Sequence, residues 1–242
     1  MKKIFVPQEY IKENIITIKG EDFHHIKNVL RKKVGDIVEI SDFGWQYKAE
    51  IFLINSDSIK LKILEKSILP PQEVKIRLFQ SIPKGIMEDL LAKTTELGVW
   101  EFYPIITERT IVKIDEKEKK LEKWNKIIIE NAKKVGIPTP MRLPNIVNLS
   151  EINKFISQDE PKIVFWECEE ENNLYSFLKK IDSTKPINIL IGPEGGFSMR
   201  EIELLKKSGW TTISLGKRIY TVETATLVSI ANILYELENK PK

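Results

Sequence analysis

Leu190-Ile-Gly-Pro-Glu-Gly-Gly-Phe-Ser-Met-Arg-Glu201 and, shortly after it, Leu215-Gly-Lys-Arg-Ile-Tyr-Thr-Val-Glu-Thr-Ala225 decide how this chain folds. The first stretch is an apolar strand that runs into a glycine-rich loop and then into a helix. Gly192, Gly195 and Gly196 let the backbone turn sharply and approach a ligand without a Cβ in the way. Ser198 and Glu201 have the spacing of a capping box, so the loop hands the chain to a helix N-terminus. The second stretch repeats the plan: a short apolar run (Ile213, Leu215), a loop at Gly216, and a helix opening near Val222-Glu223-Thr224. Two such loops at strand ends can line one pocket from two sides, as ligand sites in α/β sheets do. The arrangement predicts a bound cofactor.

Gly-Pro-Glu-Gly-Gly by itself is most often a plain turn. A phosphate-cradling loop is disfavoured, because no Gly-Lys-Ser/Thr follows and Glu194 would set a negative charge against the phosphates. The G-x-G-x-x-G pattern of dinucleotide binding is also absent. An anionic loop with open backbone groups suits a cationic or zwitterionic ligand. S-adenosylmethionine, with its sulfonium and amino group, fits that description.

Outward from these loops, strands alternate with helices. Strands are expected at Val74–Ile82, Phe102–Ile106, Ile163–Trp166, Ile187–Ile191 and Thr212–Leu215. Helices are expected at Lys84–Leu97, Glu116–Lys134 and Val222–Leu237, the last with Leu227, Ile230, Leu234 and Leu237 on one stripe. This order predicts a mostly parallel sheet covered by helices. Residues before about 70 read differently, as short alternating strands (Ile15–Ile18, Ile37–Ile40, Tyr47–Leu53, Ile59–Ile63) with one short helix from Glu21 to Arg31. That pattern predicts a small β-barrel over residues 1–70, and Pro70-Pro71 marks the boundary to an α/β domain over 73–242.

The 242 residues, 42% of them hydrophobic, suffice for two cores. Cys168 is the only cysteine and His24 and His25 are the only histidines, which argues against disulfides and against a cysteine- or histidine-based metal site. The N-terminal residues show neither a signal peptide nor a membrane span, so a cytoplasmic protein is expected. A net charge of +3 is compatible with nucleic acid without pointing to it, and the lysine clusters are read first as solvated faces.

Taken in order, the motifs resemble those of the bacterial RsmE family. His24-His25-Ile-Lys-Asn-Val-Leu-Arg31 with Gly35-Asp36 is similar to that family's N-terminal signature. Pro83-Lys-Gly85, Lys93-Thr-Thr-Glu-Leu-Gly-Val99, Thr107-Glu-Arg-Thr110 and the two glycine loops continue the match over nearly the whole chain. The resemblance implies an S-adenosylmethionine-dependent methyltransferase of the SPOUT class, acting on N3 of a uridine in 16S rRNA of the small ribosomal subunit. It also implies a C-terminal α/β domain threaded into a trefoil knot, an N-terminal PUA-like β-barrel that helps hold RNA, and a homodimer, with no membrane and no metal.

Carried over residue by residue, the resemblance assigns Ile191, Gly192, Pro193, Glu194, Gly195 and Gly196 to the adenosine. Leu215, Gly216 and Ile219 form a second wall, Thr224 and Ala225 lie beneath, and Phe165 and Trp166 stand at a third edge, where a core role for Trp166 is an equal alternative. Glu223 is either a catalytic carboxylate or an acid in a helix's first turn, and Arg218 is a further catalytic candidate. Lys2, Arg31, Lys84, Arg109 and Arg142 are the RNA candidates, each with a surface ion pair as the plainer reading. The chain departs from the family pattern at Tyr220-Thr221-Val222, where an arginine is expected before Glu223, and at Lys133-Lys134 and Ile137. These departures leave open a related enzyme with another target atom, or an RNA-binding protein that keeps the fold without catalysis.

Overall fold

The structure, a computed structural model, describes residues 4–6, 8–42, 44–69, 71–112 and 116–239. It divides into two compact units, one of Met1–Pro71 with Glu130–Pro140 and the other of Gln72–Ile129 with Met141–Lys242.

In the first unit, β1 (Ile4–Phe5), β2 (Ile11–Lys12), β3 (Ile15–Lys19), β4 (Ile37–Ser41), β5 (Trp45–Ile54) and β6 (Ser58–Ile68) form one sheet. Its order is β1-β4-β5-β6-β3-β2. Only the β1–β4 pair is parallel. Period-two alternation turns Ile16, Ile18, Tyr47, Ala49, Ile51, Ile59 and Leu61 inward, each at most 3% exposed, so β3, β5 and β6 each contribute one face to one core. Register shifts at Lys48/Ala49 and Ile51/Leu53 curl the long β5–β6 hairpin around that core. The helix expected over 21–31 is shorter and irregular. α1 (Gly20–His24) gives way to a π-helical turn at His25–Val29, where the Leu30 N–H donates to the His25 carbonyl at 2.9 Å. Arg31 leaves in the left-handed region (φ 52°), and Phe23 and Ile26 anchor the segment in the core.

The second unit is a parallel sheet of β7 (Ile76–Ser81), β8 (Glu101–Ile106), β9 (Val147–Asn148), β10 (Lys162–Phe165), β11 (Ile187–Ile191) and β12 (Thr211–Ile213), in the order β12-β10-β11-β7-β8-β9. Its helices are α2 (Met87–Glu96), α4 (Leu174–Leu178), α5 (Met199–Lys207), α6 (Val222–Glu238) and most of α3 (Lys117–Val135), whose residues from Glu130 on belong to the first unit. β7 and β11 are buried along their whole length, as central parallel strands are, and their buried polar residues are paired: Arg77 donates to Glu101, Glu160 and Asn188. One face of the sheet buries Ile187, Ile189 and Ile191 against Leu90, Leu91, Ile230 and Ile233 from α2 and α6. The other buries Phe79, Tyr103 and Leu190 against Ile202, Leu205 and Trp210, with Phe79 and Tyr103 stacked at 5.1 Å. Each such apolar side chain adds roughly 1.5–3 kcal/mol by leaving water.

The buried stripe of α6 differs from the one expected. Thr226, Ser229, Ile230, Ile233 and Leu237 face the core, while Leu227 and Leu234 are only partly buried. The reason is polar. Thr226 Oγ1 donates to Gln80 Oε1 at 2.7 Å with both residues fully buried, and satisfying that pair sets the rotation of the helix.

Candidate functional site

The C-terminal ends of β10, β11 and β12 open into one cavity of about 940 Å³, within the usual range for small-molecule sites. Three loops line it: Phe165–Asn173 after β10, Ile191–Phe197 after β11, and Ser214–Val222 after β12. The strands are parallel, so all three loops emerge on the same edge of the sheet.

The loop after β11 is a tight turn in which the Gly196 N–H donates to the Pro193 carbonyl at 2.9 Å. Its glycines are not interchangeable. A Cβ on Gly192 would lie 3.0 Å from the ring of Phe197, itself buried. Gly196 adopts φ 65°, and a Cβ there would run into the Glu167 carboxylate. The loop is also held from outside. Glu194 Oε1 accepts the Lys84 N–H at 2.8 Å, and Arg109 Nη1 donates to the Gly195 carbonyl at 2.6 Å. Beyond the turn, Ser198 caps α5 in the expected box, with the Ser198 N–H on Glu201 Oε2 at 2.9 Å and the Glu201 N–H on Ser198 Oγ at 3.3 Å. Glu201 Oε1 also accepts the Glu108 N–H at 2.9 Å, and Ser198 Oγ donates to Glu108 at 2.8 Å.

The loop after β10 is organised by Glu169. Its buried carboxylate accepts the N–H groups of Glu171 (2.9 Å) and Asn172 (3.0 Å) and the hydroxyl of Thr212. Burial alone would raise its pKa, but these three donors outweigh that and hold the carboxyl at about 2. Glu169 therefore stays ionised and keeps the loop in one conformation. Glu167, Glu170 and Glu171 also line the cavity from the loop after β10, and Lys217 and Arg218 line it from the loop after β12. The lining is thus acidic on one wall and basic on another, a distribution that suits a ligand carrying positive charge beside an anionic reaction partner.

Among the residues selected from the sequence, Phe165, Trp166, Ile191, Gly192, Pro193, Glu194, Gly196, Leu215, Gly216, Arg218, Ile219 and Ala225 line the cavity. Gly195 and Thr224 do not, nor does Glu223. Glu223 sits in the first turn of α6, where Lys93 reaches it at 2.5 Å and Asp89 at 2.6 Å. Asp89 and Glu223 together raise the Lys93 pKa above its ordinary value.

Two family models match this chain: an RNA methyltransferase domain over residues 70–234 and an RNA methyltransferase PUA domain over 18–64. The chain is 31% identical to ribosomal RNA small subunit methyltransferase E of Bacillus subtilis (strain 168), over 92% of this chain and 90% of that protein. It is 32% identical to the protein of that name from Aquifex aeolicus (strain VF5), over 91% and 94%. The chain belongs to the ribosomal RNA small subunit methyltransferase E family. Solved structures agree across both units. That of the Neisseria gonorrhoeae methyltransferase E bound to S-adenosyl methionine has a TM-score of 0.80 at 26% identity and covers 98% of each chain. That of a Legionella pneumophila putative methyltransferase with bound cofactor SAM has a TM-score of 0.73 at 27% identity, covering 97% of each. The PUA match falls on the strands of the first unit, and the methyltransferase match covers the parallel sheet of the second.

The RNA candidates read from the sequence fall in different places. Lys2 lies outside the described residues. Arg31 is exposed at the end of the π-helical turn, and Lys84 is exposed beside Glu194. Arg142 is at the opposite edge of the sheet from the cavity, paired with Glu101 at 2.6 Å and stacked 4.4 Å over Trp100. Thr221 caps α6 by accepting the Thr224 N–H. Glu169 had no distinguishing mark in the sequence, since Glu167–Glu171 reads as a charged surface run. Among the described residues no helix is long and apolar enough to cross a membrane, and no three His, Cys, Asp or Glu residues gather as a metal site.

Proposed function

We propose that this chain is an S-adenosylmethionine-dependent methyltransferase that modifies N3 of a uridine in 16S ribosomal RNA, working as a homodimer on the small subunit. The observation that carries the reading is the cavity at the ends of β10, β11 and β12 in a chain of this family, shaped by glycines that leave no room for a Cβ. Its volume suits S-adenosylmethionine and its acidic wall suits a sulfonium. Ile191–Gly196 and Leu215–Ile219 would hold the adenosine by backbone groups, with Phe165 and Trp166 at the third side. When bound, S-adenosylmethionine supplies a methyl group on a positively charged sulfur, open to in-line attack by a nitrogen lone pair.

What the protein must add is orientation and the handling of one proton. Uridine N3 lies on the Watson–Crick edge, so the base has to be unpaired to enter. Arg218, at the lip of the cavity, favours the deprotonated imide by its charge, and much of the rate comes from holding the partners in line. Ion pairing with Lys93, away from the cavity, supports the first-turn role for Glu223 rather than a catalytic one. Arg31 and Lys84, each exposed, are the residues assigned to phosphate contacts, a recognition by shape and backbone. The outer side of α6, with Tyr235 70% exposed, supports the homodimer, and packing of α6 against β11 and α2 is consistent with a knotted chain end. Mass spectrometry of 16S RNA from cells with and without this gene tests the reading. Loss of N3-methyluridine alone is expected on deletion, and an unchanged nucleoside profile would overturn it.

A further inference from the structure

Arg109 was selected from the sequence as an RNA contact, but the structure gives its guanidinium another partner. Nη1 donates to the Gly195 carbonyl at 2.6 Å, and the stem lies along that glycine, with Cδ 3.5 Å from where a Cβ would stand. Gly195 is the third residue of the turn closed by the Gly196 N–H on the Pro193 carbonyl. Fixing the Gly195 carbonyl fixes the plane of the peptide that carries this N–H, and with it the left-handed Gly196 that borders the cavity.

The residues around Arg109 are built to hold it there. The Thr107 N–H donates to Thr110 Oγ1 at 2.8 Å, and both hydroxyls meet Ser81 Oγ, at 3.4 and 3.1 Å. Glu108 joins the same turn to the cap of α5 through Ser198 and Glu201. The turn after β8 is thus fastened at three points to the glycine loop and its helix, and Arg109 supplies the one fastening made by a charged side chain to the glycine turn itself.

We propose that Arg109 is a positioning residue for the cofactor loop: its guanidinium holds the Gly195 carbonyl so that the Pro193–Gly196 turn is preformed for S-adenosylmethionine. The proposal rests on the cofactor reading of the cavity and goes beyond it. A charge-assisted hydrogen bond at an exposed site is worth about a tenfold change in affinity if the loop must order without it.

The test compares wild type with Arg109→Met, which keeps the stem and removes the donor, and Arg109→Lys, which restores a cationic donor. Calorimetry with S-adenosylmethionine is run at low and high salt, and filter binding to 16S RNA is run across a salt series. Arg109→Met should raise the cofactor Kd about tenfold at both salt concentrations, with RNA affinity and its salt slope unchanged. Arg109→Lys should recover most of the loss. Wild-type cofactor affinity in Arg109→Met would overturn the proposal, all the more if the RNA salt slope falls by about one phosphate contact. Equal losses in both variants with equally lowered melting temperatures would also overturn it, because they mark general destabilisation. If the wild type itself bound no S-adenosylmethionine, the cofactor reading would fail instead, independently of these variants.

Discussion

Replacing Gly196 with alanine sets two penalties against each other, and their sizes can be separated. The residue sits at φ 65°, a conformation that costs a residue with a Cβ roughly 1–2 kcal/mol. The new methyl would also collide with the Glu167 carboxylate. That carboxylate is the far end of a flexible, exposed side chain, so it can swing aside at a cost of a few tenths of a kcal/mol to about 1 kcal/mol. Backbone strain therefore dominates the stability change, and Gly196→Ala should unfold about 1–2 kcal/mol more easily in urea, with an unchanged m value. Cofactor binding should suffer separately, because the displaced carboxylate belongs to the cavity wall. A double-mutant cycle with Glu167→Ala resolves the two. The second mutation should return no more than about a third of the lost stability, since strain is untouched. Full recovery of stability in the double mutant, or an unstrained single mutant within about 0.3 kcal/mol of wild type, would refute the reasoning.

Gly192→Ala should cost about 1–3 kcal/mol by overpacking against the buried ring of Phe197, and urea denaturation measures it. Glu169 is held at about pH 2 against an ordinary 4.5, so it stabilises the fold fully above pH 4.5 and loses that contribution as pH falls toward 2. The amount is on the order of 3 kcal/mol. Thr212→Val removes one donor, and acid unfolding followed by circular dichroism should then begin at higher pH. Glu223→Gln should leave cofactor affinity unchanged and lower kcat less than tenfold, since Lys93 and Glu223 are both partly exposed and such pairs contribute little; a thousandfold loss of kcat would make Glu223 catalytic. Tyr235→Glu should shift sedimentation toward monomer without unfolding the chain, and an unchanged dimer would place the interface elsewhere.

How much of this was legible in the sequence depended on whether a residue's role was local. The glycine loop, the Ser198–Glu201 box and the strands at 187–191 and 102–106 are written in neighbouring residues, and the structure has them where the pattern places them. The rotation of α6 was not legible, because it is set by Gln80, far away in the chain, taking the Thr226 hydroxyl. Burying a hydrogen-bonded pair outweighed the choice of which leucine faces inward. The π-helical turn after α1 is likewise hidden, since nothing in His25–Val29 distinguishes it from an ordinary helix. Within the site, Glu169 was missed because its value lies in three donors supplied by later residues. Arg109 reads as a surface cation until the fold brings Gly195 to it. Residues whose function is a long-range hydrogen bond leave no periodic mark on the sequence.

The central claim is that this cavity delivers a methyl group to uridine N3. Small subunits lacking the modification, incubated with the purified protein and S-adenosylmethionine, should gain one methyl group per 16S RNA. Nucleoside mass spectrometry should identify that product as N3-methyluridine, with no product when the cofactor is withheld. A methyl group on a ribose oxygen or a guanine, or no transfer to subunits by a protein that binds the cofactor, would contradict it.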